Sequence, residues 1–138
     1  MIEEIEELSD LESWELLRRN ELGRLAYHLL DEVDIVPINY TVDGDTLLFR
    51  TAEGSKLLGV VLNSNVALEV EEIGSDVART VVVRGRARQL GEFEAHRVEQ
   101  VALHNWVPGE RYEVVEIRPT SVSGRVLPVS RPWTHLRT

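Results

Sequence analysis

The chain has 138 residues, of which 43% are hydrophobic and 28% are charged, a composition typical of a single soluble globular domain. Acidic residues outnumber Lys and Arg by 24 to 15, and the resulting net charge of −9 argues against a protein that neutralises a nucleic-acid backbone. The absence of cysteine excludes disulfides, thiolate metal sites and a cysteine nucleophile.

The first predicted element is a helix over about residues 9–20. It begins with a capping box, in which the Ser9 side chain accepts from the first turn and Glu12 reaches back to the cap. Asn and Gly within residues 20–23 favour a left-handed exit from this helix. Within this helix, four residues occur at helical spacing: Leu11, Trp14, Leu17 and Arg18.

From residue 23 onward the pattern becomes that of strands, with Asp43-Gly44 as a strong hairpin signal. Residues 56–62 and 92–103 interrupt the strands as predicted helices. The second of these helices has as its expected buried positions Phe93, Val98, Val101 and Ala102. The predicted strands cover residues 23–29, 33–42, 46–50, 66–73, 78–90 and 112–118, with an extension at 122–126.

Six strands with mostly hairpin-length connections favour an antiparallel barrel over an alternating parallel fold. We therefore predict a mainly β protein with flanking helices that forms one domain over residues 1–138. Its parts are the helix at about 9–20, a barrel at about 23–126 and a tail at 127–138.

One segment carries residues suited to binding an anion. A predicted strand ends in Arg50 and Thr51, a polar loop follows, and Ser55 and Lys56 begin a short helix. A guanidinium, an ammonium, two hydroxyls and a helix N-terminus are together the groups that bind a phosphate. The alternative is that Ser55 is only an N-cap and Lys56 only a solvated side chain. The residues alone leave both interpretations open.

Several segments in this order match a known pattern across nearly the whole chain. They lie at residues 8–20, 23–26, 36–40, 42–44, 49–57, 81–87, 117–119 and 123–125. With these segments the chain resembles the pyridoxamine 5′-phosphate oxidase-like family of FMN-binding split barrels, in its small actinobacterial branch. The resemblance implies a six-stranded antiparallel split β-barrel that forms a homodimer with FMN at the interface.

The resemblance also implies where the flavin binds. Its phosphate is expected at Arg50, Thr51, Ser55 and Lys56. Its ring system is expected along the backbone of Pro37, Ile38, Asn39 and Tyr40. Proline removes a donor from a strand ladder, so the proline here fits a ligand-facing strand and an ordinary edge strand equally well.

The chain departs from the family pattern in two places. Many relatives carry a tryptophan just before the run that starts at Val81, whereas residues 77–80 contain none. The tail has Arg131 and His135, but not at the spacing of the motif that binds substrate phosphate in true pyridoxamine 5′-phosphate oxidases. We therefore do not expect that substrate.

Two further residues are candidate cofactor contacts. Arg84, Arg86 and Arg88 alternate along one face of a strand, where Arg84 would either contact the cofactor or pair with acidic neighbours. Trp106 would either stack on the flavin or fill the core or a dimer interface. No metal-binding spacing links the four histidines. They are His28, His96, His104 and His135.

The sequence thus predicts a homodimeric, FMN-binding oxidoreductase in which the flavin transfers hydride or electrons. No side chain is assigned as a catalytic acid, base or nucleophile. The alternatives are a non-enzymatic flavin carrier or sensor, a relative that uses deazaflavin or haem, and a scaffold without cofactor. The acidic first residues are unlike a secretory signal and no apolar run could span a bilayer. We therefore expect a cytoplasmic protein with no nucleic-acid or membrane partner.

Overall fold

The computed structural model describes residues 4–94, 96–97 and 112–129, which form a seven-stranded antiparallel sheet with two α-helices. The strands are β1 (Glu6–Leu8), β2 (Leu22–Leu29), β3 (Glu32–Asp43), β4 (Thr46–Ala52), β5 (Asn65–Ile73), β6 (Val77–Gln89) and β7 (Tyr112–Pro128). The helices are α1 (Asp10–Arg19) and α2 (Lys56–Val61).

The sheet closes into a barrel through its longest strand. The strand order is β1-β7-β4-β3-β2-β5-β6, and β6 pairs back onto β7, so six strands form a ring and β1 adds to its outside edge. This closure confirms the predicted six-stranded antiparallel barrel. The predicted strand at 112–118 and its extension at 122–126 are one continuous strand of 17 residues, and β1 was not predicted.

The predicted capping box at the start of α1 is present. The amide of Glu12 donates to the Ser9 hydroxyl at 3.1 Å, and the Ser9 amide donates to the Glu12 carboxylate at 3.0 Å. Of the residues noted at helical spacing, Leu17 is buried and Trp14 packs against the core. Leu16 and Leu17 are buried, whereas Leu11 is 67% exposed because it lies on the face turned away from the barrel.

The end of α1 corrects the predicted left-handed exit. Asn20 has an extended backbone with φ −115° and ψ 163°. Its side-chain amide donates to the Leu16 carbonyl at 2.8 Å and to the Glu72 carboxylate at 2.7 Å. Because the side chain already satisfies a carbonyl of the last turn, the helix end needs no left-handed backbone cap.

The hydrophobic core fills the ring. Strand alternation turns every second residue inward, and α1 packs one end of the core while Val61 of α2 enters it from the other side. The core includes Leu16, Leu17, Leu25, Leu47, Phe49, Val61, Leu68, Val81, Val83, Val115 and Ile117.

The predicted helix at 92–103 is only partly within the described residues. Its first turn is a 3₁₀ helix, Glu92–Glu94, and residues 96–97 are helical. Phe93 was predicted to be buried and is 96% exposed, because this short turn lies on the outside of the barrel. The other predicted buried positions, Val98, Val101 and Ala102, lie outside the described residues.

In the ring of six strands, β3 and β4 pair over only part of their length. Residues 32–39 of β3 pair with β2, but β3 pairs with β4 only from Tyr40 to Asp43. Beyond Phe49, β4 pairs with β7 alone among the described strands. The barrel is therefore split along this seam, and residues 32–39 form an open edge on the side away from β2.

The docking of α1 on β7 depends on a glycine at the contact. A Cβ atom at Gly124 would overlap the hydroxyl of Ser13 and the side chain of Leu8. We expect Gly124→Ala to lower the free energy of unfolding by about 1–3 kcal/mol, because two packed elements must separate to admit the methyl group. Urea denaturation of the wild type and the variant measures this loss.

The matched control for this substitution is Gly91→Ala, since a Cβ atom at Gly91 meets nothing within 4 Å. Its free energy of unfolding should stay within about 0.5 kcal/mol of the wild type. Equal effects of the two substitutions would contradict the tight α1–β7 contact.

Candidate functional site

The end of β4 and the start of α2 bring two predicted site residues into contact. The hydroxyls of Thr51 and Ser55 lie 2.7 Å apart, and Ser55 caps α2 by accepting from the Leu58 amide at 3.1 Å. Gly54 turns the chain between them with φ +76°, a conformation that suits glycine. Thr51 belongs to β4 and not to the predicted loop. The result is a pair of hydroxyls held at a rigid corner.

Arg50 leaves the same strand end on the opposite face. Alternation turns Thr51 inward with Leu47 and Phe49, and Arg50 outward. The Arg50 guanidinium lies 4.8 Å from the centre of the Tyr112 ring, an arrangement that stabilises a cation. The side chain of Lys56 lies outside the described part of the structure. The four predicted phosphate ligands are therefore neighbours in the chain, but their side chains do not all point the same way.

The predicted ring-binding strand presents two exposed and two buried side chains. Pro37 and Asn39 are exposed along the open edge of β3. Ile38 and Tyr40 face the core and are 7% and 3% exposed. The Tyr40 hydroxyl donates to the Leu17 carbonyl at 2.7 Å, and burial raises the pKa of Tyr40. The side chains of Ile38 and Tyr40 are therefore not available to a ligand at this edge, and the Tyr40 amide already donates to the Glu21 carbonyl at 2.9 Å.

Arg84 does not join this corner. Arg84 lies exposed on the outer face of β6, where it lines a cavity with residues of β2 and β5. Its neighbours on the same face, Arg86 and Arg88, confirm the predicted alternation. Trp106 lies outside the described residues, as do His104 and His135. His28 and His96 are exposed.

A buried ion cluster on the outer face of β7 was only partly predicted. Glu116 is fully buried and binds Arg88 at 2.9 Å and Arg97 at 2.6 Å. Arg97 also binds Asp43 in the β3–β4 hairpin at 2.7 Å, and Arg88 binds Glu94 at 2.7 Å. The pairing of Arg88 with acidic neighbours was the expected alternative for this arginine face. The cluster fixes Glu94 and Arg97 over β7 and the hairpin.

Another cavity, larger than the one beside Arg84, has Pro37 in its lining. It has a volume of about 800 Å³ and is lined by the end of α1, the start of β2 and the end of β5. Two of its three arginines are compensated, since Arg24 binds Glu69 at 3.0 Å and Glu71 at 2.9 Å, and Arg19 binds Glu72. This cavity was not predicted, and its balanced charges do not favour an anion.

No cluster of three or more His, Asp or Glu side chains is arranged to hold a metal ion in the described ranges. No described helix has the length and apolar character needed to cross a membrane.

Comparisons with known proteins identify relatives of the chain. The model of the pyridoxamine 5′-phosphate oxidase family matches residues 9–126. The solved structure of the FAD-binding protein from Mycobacterium smegmatis is 33% identical, covers 91% of this chain and 100% of its own, and superposes with a TM-score of 0.84. An FAD-binding protein from Mesorhizobium loti is 27% identical with a TM-score of 0.74, covering 89% of this chain and 98% of its own. An uncharacterized protein of Mycobacterium tuberculosis is 33% identical over 85 residues, which are 61% of this chain and 77% of that protein.

The ion cluster gives the protein a defined response to acid. The hydrogen bond from Arg88, supported by the Gly91 amide, lowers the pKa of Glu94 from 4.5 to about 2. A carboxylate with a depressed folded-state pKa stabilises the fold above its unfolded value, and this contribution is lost as the pH falls through the folded value. Wild-type stability should therefore decline between pH 4.5 and about 2 more steeply than that of Glu94→Gln.

Urea denaturation across this pH range measures the difference between the two proteins. Glu92→Gln, in the same 3₁₀ turn, is the matched control and should follow the wild type. Parallel pH profiles for the wild type and Glu94→Gln would contradict the role given to the Arg88–Glu94 pair.

Proposed function

The chain belongs to the pyridoxamine 5′-phosphate oxidase family, and from this premise we propose that it binds a flavin nucleotide and serves as a flavin-dependent oxidoreductase in the cytoplasm. The observation that carries the proposal is the corner between β4 and α2, where the Thr51 and Ser55 hydroxyls meet at 2.7 Å immediately after Arg50 in the chain. Two solved relatives are FAD-binding proteins, which supports a flavin as the ligand.

The donors at this corner fit a phosphate in their chemistry. Thr51 as a residue is only 9% exposed, and the two hydroxyls can each donate to a phosphate oxygen if their mutual hydrogen bond opens. Arg50 adds a permanent positive charge at the same strand end, on the opposite face of β4, where the Tyr112 ring orients its guanidinium. Gly54 leaves open space, since nothing lies within 4 Å of the position of a Cβ atom there. We assign the phosphate to Arg50, Thr51 and Ser55, with Lys56 as a further cation.

The open edge of β3 fits the ring system. Residues 32–39 have one side paired to β2, and no described strand occupies the other side. The Tyr40 amide donates to the Glu21 carbonyl, so alternation turns the backbone groups of Ile38 toward β2 and those of Asn39 toward the open side. The Asn39 amide and carbonyl are therefore available to the polar edge of a flat ligand. Pro37 adds an apolar surface without a backbone donor. When bound, the flavin supplies the hydride or electron transfer. The protein residues then bind and orient it, and no side chain is needed as a general acid or base.

A second copy of the chain is the proposed cover for this edge. The β2–β3 hairpin exposes Leu29, Leu30, Val33 and Ile35 at 42%, 93%, 70% and 59% of their surfaces. Contiguous apolar side chains of this kind on a soluble protein indicate an interaction surface. A homodimer that buries this hairpin would shield a flavin at the split seam from water.

Whether the bound nucleotide is FMN or FAD can be determined by releasing it from the protein. The sequence resemblance predicted FMN, whereas the two FAD-binding relatives favour FAD. Heat denaturation of the purified, flavin-loaded protein and mass analysis of the released flavin distinguish the two. An enzyme, unlike a carrier, should also reduce its bound flavin when a nicotinamide cofactor is added without oxygen.

The phosphate assignment is tested by removing both cations. Arg50→Ala combined with Lys56→Ala should weaken flavin binding by more than tenfold, because charge-assisted hydrogen bonds contribute about 1.5–3 kcal/mol each. Quenching of flavin fluorescence during titration measures the affinity. Thr51→Val, which removes one hydroxyl and keeps the shape of the side chain, should weaken binding by a smaller factor.

The matched control removes two exposed cations from the far end of the barrel. Arg79→Ala with Arg125→Ala makes the same change in net charge on the neighbouring strands β6 and β7. Its flavin affinity should equal that of the wild type. Equal losses in the two double variants would indicate a general charge effect and would reject the site at the β4–α2 corner.

A further inference from the structure

A second cavity lies on the outer face of the barrel, away from the corner between β4 and α2. Its volume is about 400 Å³, within the range of small-molecule sites. No acidic residue lines it, although the chain as a whole has a net charge of −9. The lining residues are Ala26, Tyr27, His28, Val33, Asn65, Val66, Ala67, Arg84, Gly85 and Thr120.

The register of the sheet explains why this part of the outer face is depressed. Ala26 on β2 lies directly opposite Ala67 on β5, and Ala67 lies opposite Arg84 on β6. The next row on the same face carries the long side chains of Arg24 and Glu69. The methyl groups of Ala26 and Ala67 thus form a low, flat cavity floor. Arg84 on β6 bounds this floor on one side, and Val33 on β3 bounds it on the other.

Arg84 is held at the cavity by an irregularity in the barrel. The pairing of β6 with β7 shifts register between Arg84 and Gly85, so Thr120 is the extra residue on β7. The Thr120 hydroxyl donates to the Arg84 carbonyl at 3.1 Å. A Cβ atom at Gly85 would overlap the Arg118 carbonyl, so the close approach of the two strands requires glycine. Bulges of this kind re-aim a side chain and are frequent beside binding sites.

The charge of Arg84 is not compensated within the described residues. Arg24 and Arg88, on neighbouring positions of the same sheet, each bind two glutamates. Arg84 forms no ion pair with any residue of ranges 4–94, 96–97 and 112–129. His28, Asn65 and Thr120 add neutral or basic polar groups around it, so the whole rim favours a negative ligand.

We propose that this cavity is a second binding site, for a small planar anion of the aromatic carboxylate class. The Arg84 guanidinium pairs with the carboxylate through two parallel hydrogen bonds, a geometry that a planar fork favours. The ring lies on the methyl groups of Ala26 and Ala67, against Val33. The site shares no residue with the Arg50, Thr51 and Ser55 corner, although Val33 also belongs to the hairpin proposed as the dimer surface.

The experiment uses benzoate as the probe. Binding to the purified protein is followed by amide shifts in a heteronuclear NMR titration, and we expect the largest shifts at residues that line the cavity. Arg84→Ala should weaken binding by at least tenfold, and Ala67→Leu should abolish it by filling the floor while leaving every charge in place. Arg125→Ala, another exposed arginine in the sheet, is the control and should bind as the wild type does.

Three results would overturn the proposal. They are absence of benzoate binding, equal binding by Arg84→Ala and the wild type, and equal binding of benzyl alcohol, which has the ring without the charge. The titration is repeated with saturating FMN and with saturating FAD. Retained benzoate binding supports a separate site, whereas competition by either flavin would assign the cavity to the flavin and reject the second site. Failure of flavin to bind at all leaves the benzoate result unaffected, so the two proposals fail separately.

Discussion

The pairing of β7 with β6 is the interaction on which the rest of the molecule depends. It runs from Val77 to Gln89 along one strand and closes the ring of six strands. Because the ring is closed, the side chains that point inward pack in the hydrophobic core, since the interior of a small barrel is filled by its own residues. Polar groups that are to meet a ligand must therefore lie at a strand end, at the seam or on the outer face. The described candidates follow this division: Thr51 and Ser55 lie at a strand end, Pro37 and Asn39 at the seam, and Arg84 on the outer face.

The seam between β3 and β4 is the exception to closure, and it has a structural support of its own. The ladder between the two strands starts at the Asp43 hairpin and stops at Tyr40, whose hydroxyl is fixed to α1 through the Leu17 carbonyl. Arg97 fixes the hairpin end of the same ladder by binding Asp43. The strands are thus held firmly where they pair and diverge beyond that point, which keeps an open edge without loosening the barrel.

Local signals in the sequence predicted much of the fold. The capping box at Ser9, the Asp43-Gly44 hairpin and the short helix after Ser55 depend on residues close together in the chain, and each is present. The failures depend on distant residues. The Asn20 exit is set by Glu72 on β5, and the exposure of Phe93 follows from a turn that lies outside the ring. The continuity of β7 past Pro119 follows from its pairing with β6, which a local pattern does not contain.

The candidate site, too, was predicted only where it depends on residues close together in the chain. Its chain segment was predicted, and alternation alone places Arg50 and Thr51 on opposite faces of β4. The ring that orients Arg50 comes from Tyr112 on another strand, and the buried Glu116 that binds two arginines has no local signature.

The attachment of β1 to the end of β7 has a mechanical consequence. Glu6 lies opposite Val126 and Leu8 opposite Gly124, so the first and last described strands run antiparallel and side by side. A force that pulls Glu6 of β1 away from Val126 of β7 would break the hydrogen bonds between the two strands one after another, and not all at once. The three-residue β1 would peel away at low force, and the closed ring, with its long β6–β7 ladder, would bear the load afterwards.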